Sequence, residues 1–212
     1  MVSPNQPMVE LTCQVIPDEF TDYLASSFDY EFDGTSKFTL PDFTTPENFK
    51  IGLIVGSSGS GKSQILKNYF NFNEEGHEWQ PDKAIVSHFN NPEEAVKKLM
   101  ACGLSSIPSM TKPYRVLSNG ERFRADVARQ LSDGAIIDEY TSVVNREVAK
   151  SLSIALHNYV HTEGLQNIVL ASCHRDIIDW LKPDWIFDTD SMDLAEMDVT
   201  HRRRVARIEI EY

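Results

Sequence analysis

The sequence predicts an α/β fold with a mixed, mainly parallel core sheet that is flanked by helices. First, an apolar run from Ile51 to Val55 leads directly into a loop rich in glycine and serine and then into a helical pattern. Second, short apolar strands alternate with amphipathic helices through the rest of the chain, as in parallel sheets. Third, 212 residues suffice for one well-packed domain. We therefore expect a single domain over residues 1–212.

The N-terminal region, about residues 9–50, is predicted to form a small antiparallel subdomain. Val9 to Val15 alternates apolar and polar residues, as a half-exposed strand does. Phe28, Tyr30 and Phe32 also alternate and predict a second strand. Asp33-Gly34 is typical of a hairpin turn, after which Lys37 to Leu40 returns as a strand.

The loop after the Ile51–Val55 strand has the spacing G-x-x-x-x-G-K-S/T of a phosphate-binding loop. Its glycines let several backbone N–H groups point at one anion, and the dipole of the following helix favours the same negative charge. Lys62 can reach the β- and γ-phosphates of a nucleotide, and the Ser63 hydroxyl can ligate Mg²⁺. The predicted nucleotide-binding residues are Gly56, Ser57, Ser58, Gly59, Ser60, Gly61, Lys62, Ser63 and Gln64.

A helix over Gln64 to Phe72 is expected directly after this loop, and between it and residue 131 the pattern predicts one strand and two further helices. The strand covers Ala84 to Phe89, and a helix follows from Asn91-Pro92 to about Met100. Gly103 to Pro113 is predicted to be a loop. Ser118 with Glu121 three residues later forms a capping box, so a second helix is expected to begin there. Phe123, Val127 and Leu131 supply its buried stripe.

A short apolar strand, Ala135 to Ile137, ends in the carboxylates of Asp138 and Glu139. Charges at the end of a buried strand are costly unless a cation or a reaction requires them. With a phosphate loop upstream, we assign Asp138 to the Mg²⁺ shell and Glu139 to polarising the attacking water. A helix over Glu147 to Tyr159 follows.

The last predicted elements are strands. The first covers Ile168 to Ala171 and brings His174 to the carboxyl end of the sheet, where α/β folds carry ligands. Trp185 to Phe187 and Val205 to Ile210 are the others.

Composition excludes several classes of protein. The net charge of −12 argues against indiscriminate binding to nucleic acid or anionic membranes. No apolar run approaches the roughly 18 residues of a membrane span, and the N-terminus lacks a signal-peptide pattern, so we expect a cytoplasmic protein. Cys13, Cys102 and Cys173 suggest idle thiols more than a disulfide or zinc site. The basic cluster of His201 to Arg204 with Arg207 is either a nucleic-acid or partner contact or, as we favour, a rim that balances acidic neighbours.

Five of these features, in this order, resemble the nucleotide-binding domain of the ATP-binding-cassette (ABC) superfamily. Leu117 to Glu121, L-S-N-G-E, is similar to the family signature L-S-G-G-Q, and Ile136 to Glu139 to its Walker B strand. Thr141 to Asn145 lies where the family D-loop, T-S-A-L-D, follows, and His174 where the switch histidine does. The phosphate loop is the fifth feature. The resemblance covers roughly residues 28–190, with about residues 90–130 as a reduced helical and signature region.

The resemblance implies a mechanism that requires two copies. In the family, ATP and Mg²⁺ are held between two cassettes that face head to tail. The signature residues Ser118, Asn119 and Gly120 would then face the γ-phosphate bound by the partner copy, while Glu139 and His174 would act in the copy that holds the nucleotide. An aromatic side chain of the N-terminal sheet would stack on adenine, and the candidates are Tyr30, Phe28 and Phe32, in that order.

Three residues depart from the family pattern. His88 stands where the family has the glutamine that links nucleotide and partner, Asn119 replaces a signature glycine, and Asn145 replaces the D-loop aspartate. The interval between Ser63 and Leu117 is also short for a transporter cassette. These departures affect the link between nucleotide and partner, the surroundings of the γ-phosphate and communication between the two sites.

Within the superfamily, the chain most resembles small soluble ABC-type ATPases of bacteria and phages, some of which are joined to acetyltransferase domains. Three hypotheses follow. The first is a slow ATPase that works as a transient homodimer, with an unidentified protein partner left open. The second is an ATP-gated dimerising clamp or regulator with negligible turnover, and the third is the ATPase subunit of a transporter.

Overall fold

The computed structural model describes residues 9–40, 44–74, 76–197 and 204–208. The chain divides into two compact units, Met1–Thr44 and Thr45–Tyr212. The predicted cluster at 201–204 and 207 lies outside the residues whose side chains are described.

The N-terminal unit contains a two-stranded antiparallel sheet of β1, Val9–Gln14, and β2, Thr35–Leu40, with Gln14 paired to Thr35. This confirms two of the three strands predicted for the antiparallel subdomain. The predicted strand over Phe28 to Phe32 is wrong: Phe28 ends helix α1, Glu19–Phe28, and residues 29–33 form neither helix nor strand. Asp18 caps the start of this helix through a capping box with Thr21. At the other end, the C-cap residue Asp29 has a left-handed backbone with a φ angle of 50°, which interrupts any strand through this position.

The second unit is an α/β fold whose central sheet confirms the predicted fold class. Its six strands lie in the order β4-β5-β3-β6-β7-β8. The first four are mutually parallel, and β7 and β8 extend the sheet in antiparallel fashion. The strands are β3 Ile51–Val55, β4 Ile136–Ile137, β5 Ile168–Ser172, β6 Trp185–Asp188, β7 Asp193–Met197 and β8 Arg204–Ile208.

Helices surround this sheet. They are α2 Lys62–Phe70, α3 Pro92–Ala101, α4 Ile107–Met110, α5 Asn119–Gln130, α6 Arg146–Glu163 and α7 Ile177–Leu181. The predicted strand at 84–89 is wrong: Ile85–His88 forms a 3₁₀ helix, and Ala84 makes a single bridge to Pro113. A short apolar run satisfies either pattern, and here no extended neighbouring segment continues the ladder past that bridge within the described residues.

The main core lies on one face of the sheet. Ile51, Leu53 and Val55 point into an apolar cluster that includes Val127 of α5 and Leu156 of α6. This packing fixes β3 at the centre of the sheet, so the loop that follows β3 begins from a rigid point.

Trp185 packs on the opposite face of the sheet from this cluster. It is fully buried, lies edge-on to Phe49 at 5.4 Å and is stacked on Phe70 at 6.2 Å between ring centroids. Its indole lies over Gly52, where a Cβ would come within 2.0 Å of the ring. Glycine at this position of β3 therefore makes room for the indole.

Candidate functional site

The predicted catalytic and phosphate-binding residues follow neighbouring strands at one edge of the sheet. Because β4, β5, β3 and β6 are parallel neighbours, their carboxyl ends lie side by side. Asp138-Glu139 follows β4, His174 follows β5, and the loop Gly56 to Ser63 follows β3. The topology therefore brings together side chains that are far apart in the sequence.

The phosphate loop curls around its own lysine. Gly59 and Gly61 have φ angles of 80° and 91°, a left-handed conformation that favours glycine. Lys62 is only 5% exposed, and its Nζ donates to the carbonyl oxygens of Gly56 at 3.0 Å and Ser57 at 2.7 Å. The ammonium is thus held within the loop, beside the N-terminus of α2.

The segment after β6 contacts this loop directly, and sequence reasoning missed it. Thr189 donates from its backbone N–H and its hydroxyl to the carbonyl oxygen of Val55, and its Oγ1 lies 2.6 Å from Ser60 Oγ. The Asp190 carboxylate accepts from the Ser57 backbone N–H at 3.0 Å and from the Ser57 hydroxyl at 2.8 Å. The acidic residues at the carboxyl end of this strand could have indicated the segment, because the same pattern led to the prediction of Asp138 and Glu139.

The turn that carries Glu139 is held in an uncommon backbone conformation. Glu139 and Thr141 both have positive φ angles, 51° and 68°. Such residues cost on the order of 1–3 kcal/mol each and persist only where their surroundings fix them. Here Tyr140 lies between them, fully buried, and its backbone N–H donates to the carbonyl oxygen of Ala171 at 2.8 Å. The Asp138 carboxylate accepts from the Glu139 N–H at 2.8 Å, while the Glu139 side chain is exposed.

A buried serine links this turn to His174. The Ser172 hydroxyl donates to the carbonyl oxygen of Tyr140 at 2.8 Å and accepts from the His174 backbone N–H at 3.1 Å. Thr141 Oγ1 lies 3.5 Å from His174 Nδ1. Burial and, secondarily, the charge of Arg146 lower the pKa of His174 below its ordinary value, which favours the neutral imidazole.

Arg175, the residue after His174, forms ion pairs with the last residue of β6 and with the segment that follows it. Its guanidinium binds Asp188 through Nε at 3.1 Å and Nη2 at 2.8 Å, and Nη2 also contacts Asp190 at 2.6 Å. The hydrogen bond from Arg175 and, to a smaller extent, the two bonds from Ser57 lower the pKa of the Asp190 carboxyl to about 2. Asp190 is therefore ionised throughout the physiological range.

The predicted signature residues begin α5. Ser118 is the N-cap and forms the predicted capping box with Glu121. The Ser118 hydroxyl donates to Glu121 Oε2 at 2.8 Å, and the Ser109 hydroxyl donates to Oε1 at 2.8 Å. The Ser118 backbone bond, then the two hydroxyls, lower the pKa of Glu121 to about 2. Asn119 starts the helix, and a Cβ at Gly120 would meet Val144 Cγ1 at 3.5 Å.

The two remaining departures from the family pattern make local contacts. Asn145 is the N-cap of α6, and its Oδ1 accepts from the Val148 N–H at 2.9 Å. His88 Nε2 accepts from the Gln80 N–H at 3.0 Å, and its Nδ1 lies 3.0 Å from the carbonyl oxygen of Ala84. Because Nε2 accepts, the ring proton is on Nδ1, and both ring nitrogens of His88 therefore form hydrogen bonds to the nearby backbone.

The adenine-stacking candidates lie in the N-terminal unit. Phe28 is the last residue of α1, and Tyr30 and Phe32 follow the helix. Phe28 and Tyr30 are exposed, at 74% and 65%. Their role stays a prediction.

The oxygen donors at the sheet edge suit Mg²⁺. Ser63 supplies a hydroxyl and Asp138 a carboxylate, and Mg²⁺ is commonly held by one or two such protein oxygens together with substrate phosphates. Across residues 9–40, 44–74, 76–197 and 204–208, no group of three or more His, Cys, Asp or Glu side chains is arranged so that it could hold a metal ion. Within the same residues no helix is both long and apolar enough to cross a membrane.

The fold is similar to solved structures of ATP-binding cassettes. One is described as the dimeric, post-hydrolysis state of the ATP-binding cassette MJ0796 bound to ADP and Pi; it matches with a TM-score of 0.53 and 13% identity over 72% of this chain and 87% of that chain. A second dimeric structure of MJ0796, described as a bacterial ABC transporter cassette, matches with a TM-score of 0.53 and 14% identity, again over 72% of this chain and 87% of that chain. The chain therefore has the fold of these ATP-binding cassettes. No family model and no curated protein matches the sequence.

Proposed function

We propose that this protein is an ABC-type ATPase that binds Mg-ATP at Gly56 to Ser63 and hydrolyses it in a head-to-tail homodimer. The observation that carries the proposal is the common edge of β4, β5 and β3, where a phosphate loop, two carboxylates and a histidine follow adjacent parallel strands. This edge belongs to a fold similar to ATP-binding cassettes.

Each residue of the proposed site has a distinct role. The backbone N–H groups of the loop and Lys62 bind the β- and γ-phosphates, while Ser63 and Asp138 would hold Mg²⁺, which neutralises phosphate charge when bound. Glu139 orients and polarises the attacking water. His174, whose pKa is lowered first by burial and then by Arg146 so that the neutral imidazole is favoured, donates or accepts a single hydrogen bond near the γ-phosphate.

The dimer is proposed because, in the family that this chain resembles, the γ-phosphate held by one copy receives contacts from the signature helix of its partner. Ser118 and Gly120, at the N-terminus of the twelve-residue helix α5, would supply them from the partner copy. The two MJ0796 structures are dimers, which supports this arrangement.

A second candidate is an ATP-gated clamp or regulator that dimerises without significant turnover. The contacts of His88 favour it, because the local backbone engages both ring nitrogens and so competes with any contact to a nucleotide. A transporter subunit is disfavoured, since the helical region between α2 and α5 is short and α4 has only four residues. Action inside the cytoplasm and a separate protein partner belong to the same proposal.

The first test compares Glu139→Gln with the wild type. We expect Glu139→Gln to bind Mg-ATP, to lose phosphate release and to double its mass in solution when Mg-ATP is added, because the water is no longer polarised while the dimer contacts remain. Mass is measured by light scattering and turnover by phosphate release. Lys62→Ala is the matched control and should bind no ATP, since it removes the main phosphate charge.

The outcomes separate the hypotheses. Wild-type turnover together with a trapped Glu139→Gln dimer supports the ATPase. Dimerisation without wild-type turnover supports the clamp. Turnover by Glu139→Gln at the wild-type rate, or unchanged ATP affinity in Lys62→Ala, would contradict the assigned site.

A further inference from the structure

The segment Asp188 to Asp190 and Arg175, here called the acidic clamp, holds the first half of the phosphate loop. Thr189 and Asp190 together bond to Val55, Ser57 and Ser60. Gly56 lies against Thr189 so closely that a Cβ would come within 1.8 Å of Thr189 Oγ1. Asp190 and its partner Ser57 are 133 positions apart in the sequence.

The clamp also places negative charge beside a loop that is proposed to bind an anion. Asp188 and Asp190 bring two carboxylates, and both are paired with the single guanidinium of Arg175. Asp190 further receives the Ser57 N–H, so a backbone donor of the loop is committed to a protein carboxylate. Without Arg175, two carboxylates would repel an incoming polyphosphate.

Arg175 directly follows His174 and therefore connects two parts of the site. The backbone N–H of His174 donates to the Ser172 hydroxyl, and the guanidinium of Arg175 binds Asp190 in the segment after β6. The clamp thereby spans the carboxyl ends of β5, β3 and β6.

We propose that Arg175, Asp188 and Asp190 are positioning residues that shape the phosphate loop, and that Arg175 compensates the two carboxylates so that the loop can accept Mg-ATP. This inference rests on the proposed nucleotide binding and adds to it a set of residues outside the phosphate-loop motif. None of the three needs to touch the reacting atoms.

The test measures two properties in wild type, Arg175→Ala, Arg175→Ala/Asp188→Asn/Asp190→Asn and the control Arg115→Ala. Arg115 pairs with Asp82 on an exposed surface, so its loss removes an ion pair of similar kind elsewhere. The first property is the affinity for Mg-ATP at low and high salt. The second is amide hydrogen exchange at Ser57 in the ligand-free protein, which reports the clamp whether or not the wild type binds ATP.

We expect Arg175→Ala to weaken Mg-ATP binding about tenfold at low salt, with a smaller loss at high salt because salt screens the carboxylates. Exchange at Ser57 should accelerate, since Asp190 loses the partner that orients it. The triple variant should recover most of the affinity, whereas a purely structural role predicts that each further change lowers it. Arg115→Ala should match the wild type in both measurements.

Two results would overturn the inference. Unchanged amide exchange at Ser57 in Arg175→Ala would show that the acidic clamp does not hold the phosphate loop. If the triple variant binds Mg-ATP no more tightly than Arg175→Ala does, Arg175 does not compensate the charge of the two carboxylates. A wild type that binds no Mg-ATP would instead refute the proposed function, while the exchange measurement would still decide whether the clamp exists.

Discussion

Ser172 is a buried hydroxyl whose two hydrogen bonds join the Glu139 turn to the His174 segment. A buried hydroxyl without partners would cost free energy, and here both its donor and one acceptor position are used. Because Tyr140 is fixed between two left-handed residues, Ser172 also helps to hold the backbone strain of that turn. At the scale of single residues, the candidate site is organised by backbone contacts as much as by the side chains of the residues predicted to be catalytic.

The ionisation of His174 depends on Arg146, which binds Asp176 through Nε at 2.8 Å. Arg146→Ala removes a cation that lowers the pKa of His174 and leaves the Asp176 charge, which raises it. We therefore expect the pKa of His174 to rise toward its ordinary value, measured by NMR titration of the imidazole. As the pH falls, the neutral imidazole would then be protonated at a higher pH than in the wild type. The acidic limb of the pH profile of ATP turnover should shift to higher pH with it.

Arg115→Ala is the matched control for this titration, because its partner is Asp82. It should leave the titration of His174 unchanged. An unchanged or lower His174 pKa in Arg146→Ala would contradict the electrostatic account.

At the scale of elements, capping decided where helices begin. The capping boxes at Asp18 and Ser118 start α1 and α5, and Asn91 and Asn145 cap α3 and α6. Each satisfies backbone N–H groups that the first helical turn leaves without partners. Asn145 shows that an amide can cap this helix where the family pattern has a carboxylate.

Strand β3 tolerates no side chain at Gly52. In Gly52→Ala the new Cβ would lie 2.0 Å from Trp185 Cζ2, so the buried indole would have to move. Overpacking of this kind typically costs about 1–3 kcal/mol. We expect that loss in the free energy of unfolding, measured by urea denaturation.

Gly76→Ala is the matched control, since a Cβ there meets nothing within 4 Å. Its stability should change by less than about 1 kcal/mol. Equal stability of Gly52→Ala and the wild type would show that the Trp185 packing can relax without cost.

At the scale of the whole molecule, the proposed reaction requires a second copy. Ser118→Arg places a large cation at the helix start that is proposed to face the partner's γ-phosphate. We expect it to prevent ATP-dependent dimerisation while Mg-ATP still binds the monomer, measured by light scattering and by nucleotide titration. Retained binding also shows that the variant is folded, although an arginine N-cap costs the helix about 1 kcal/mol.

Ser132→Arg is the corresponding control, because Ser132 is exposed just beyond the C-terminal end of α5. It should dimerise as the wild type does. A normal ATP-bound dimer of Ser118→Arg would refute the proposed arrangement in trans.

Several elements were predictable because their signals lie in neighbouring residues. The strand Ile51–Val55, the capping box at Ser118 and the α/β class were all predicted from neighbouring residues and agree with the structure. Local steric and hydrogen-bonding rules fix such features, so no knowledge of distant contacts is needed.

Other features depend on partners that are distant in the sequence, and these could not be predicted from local patterns. Residues 84–89 had a strand-like pattern but became a 3₁₀ helix, because a strand needs a neighbour and Ala84 makes only an isolated bridge to Pro113. The segment after β6 became part of the candidate site because the strand order puts β6 next to β3. Sequence patterns report periodicity, whereas strand pairing and ion pairs such as those of Arg175 arise from the way the whole sheet is assembled.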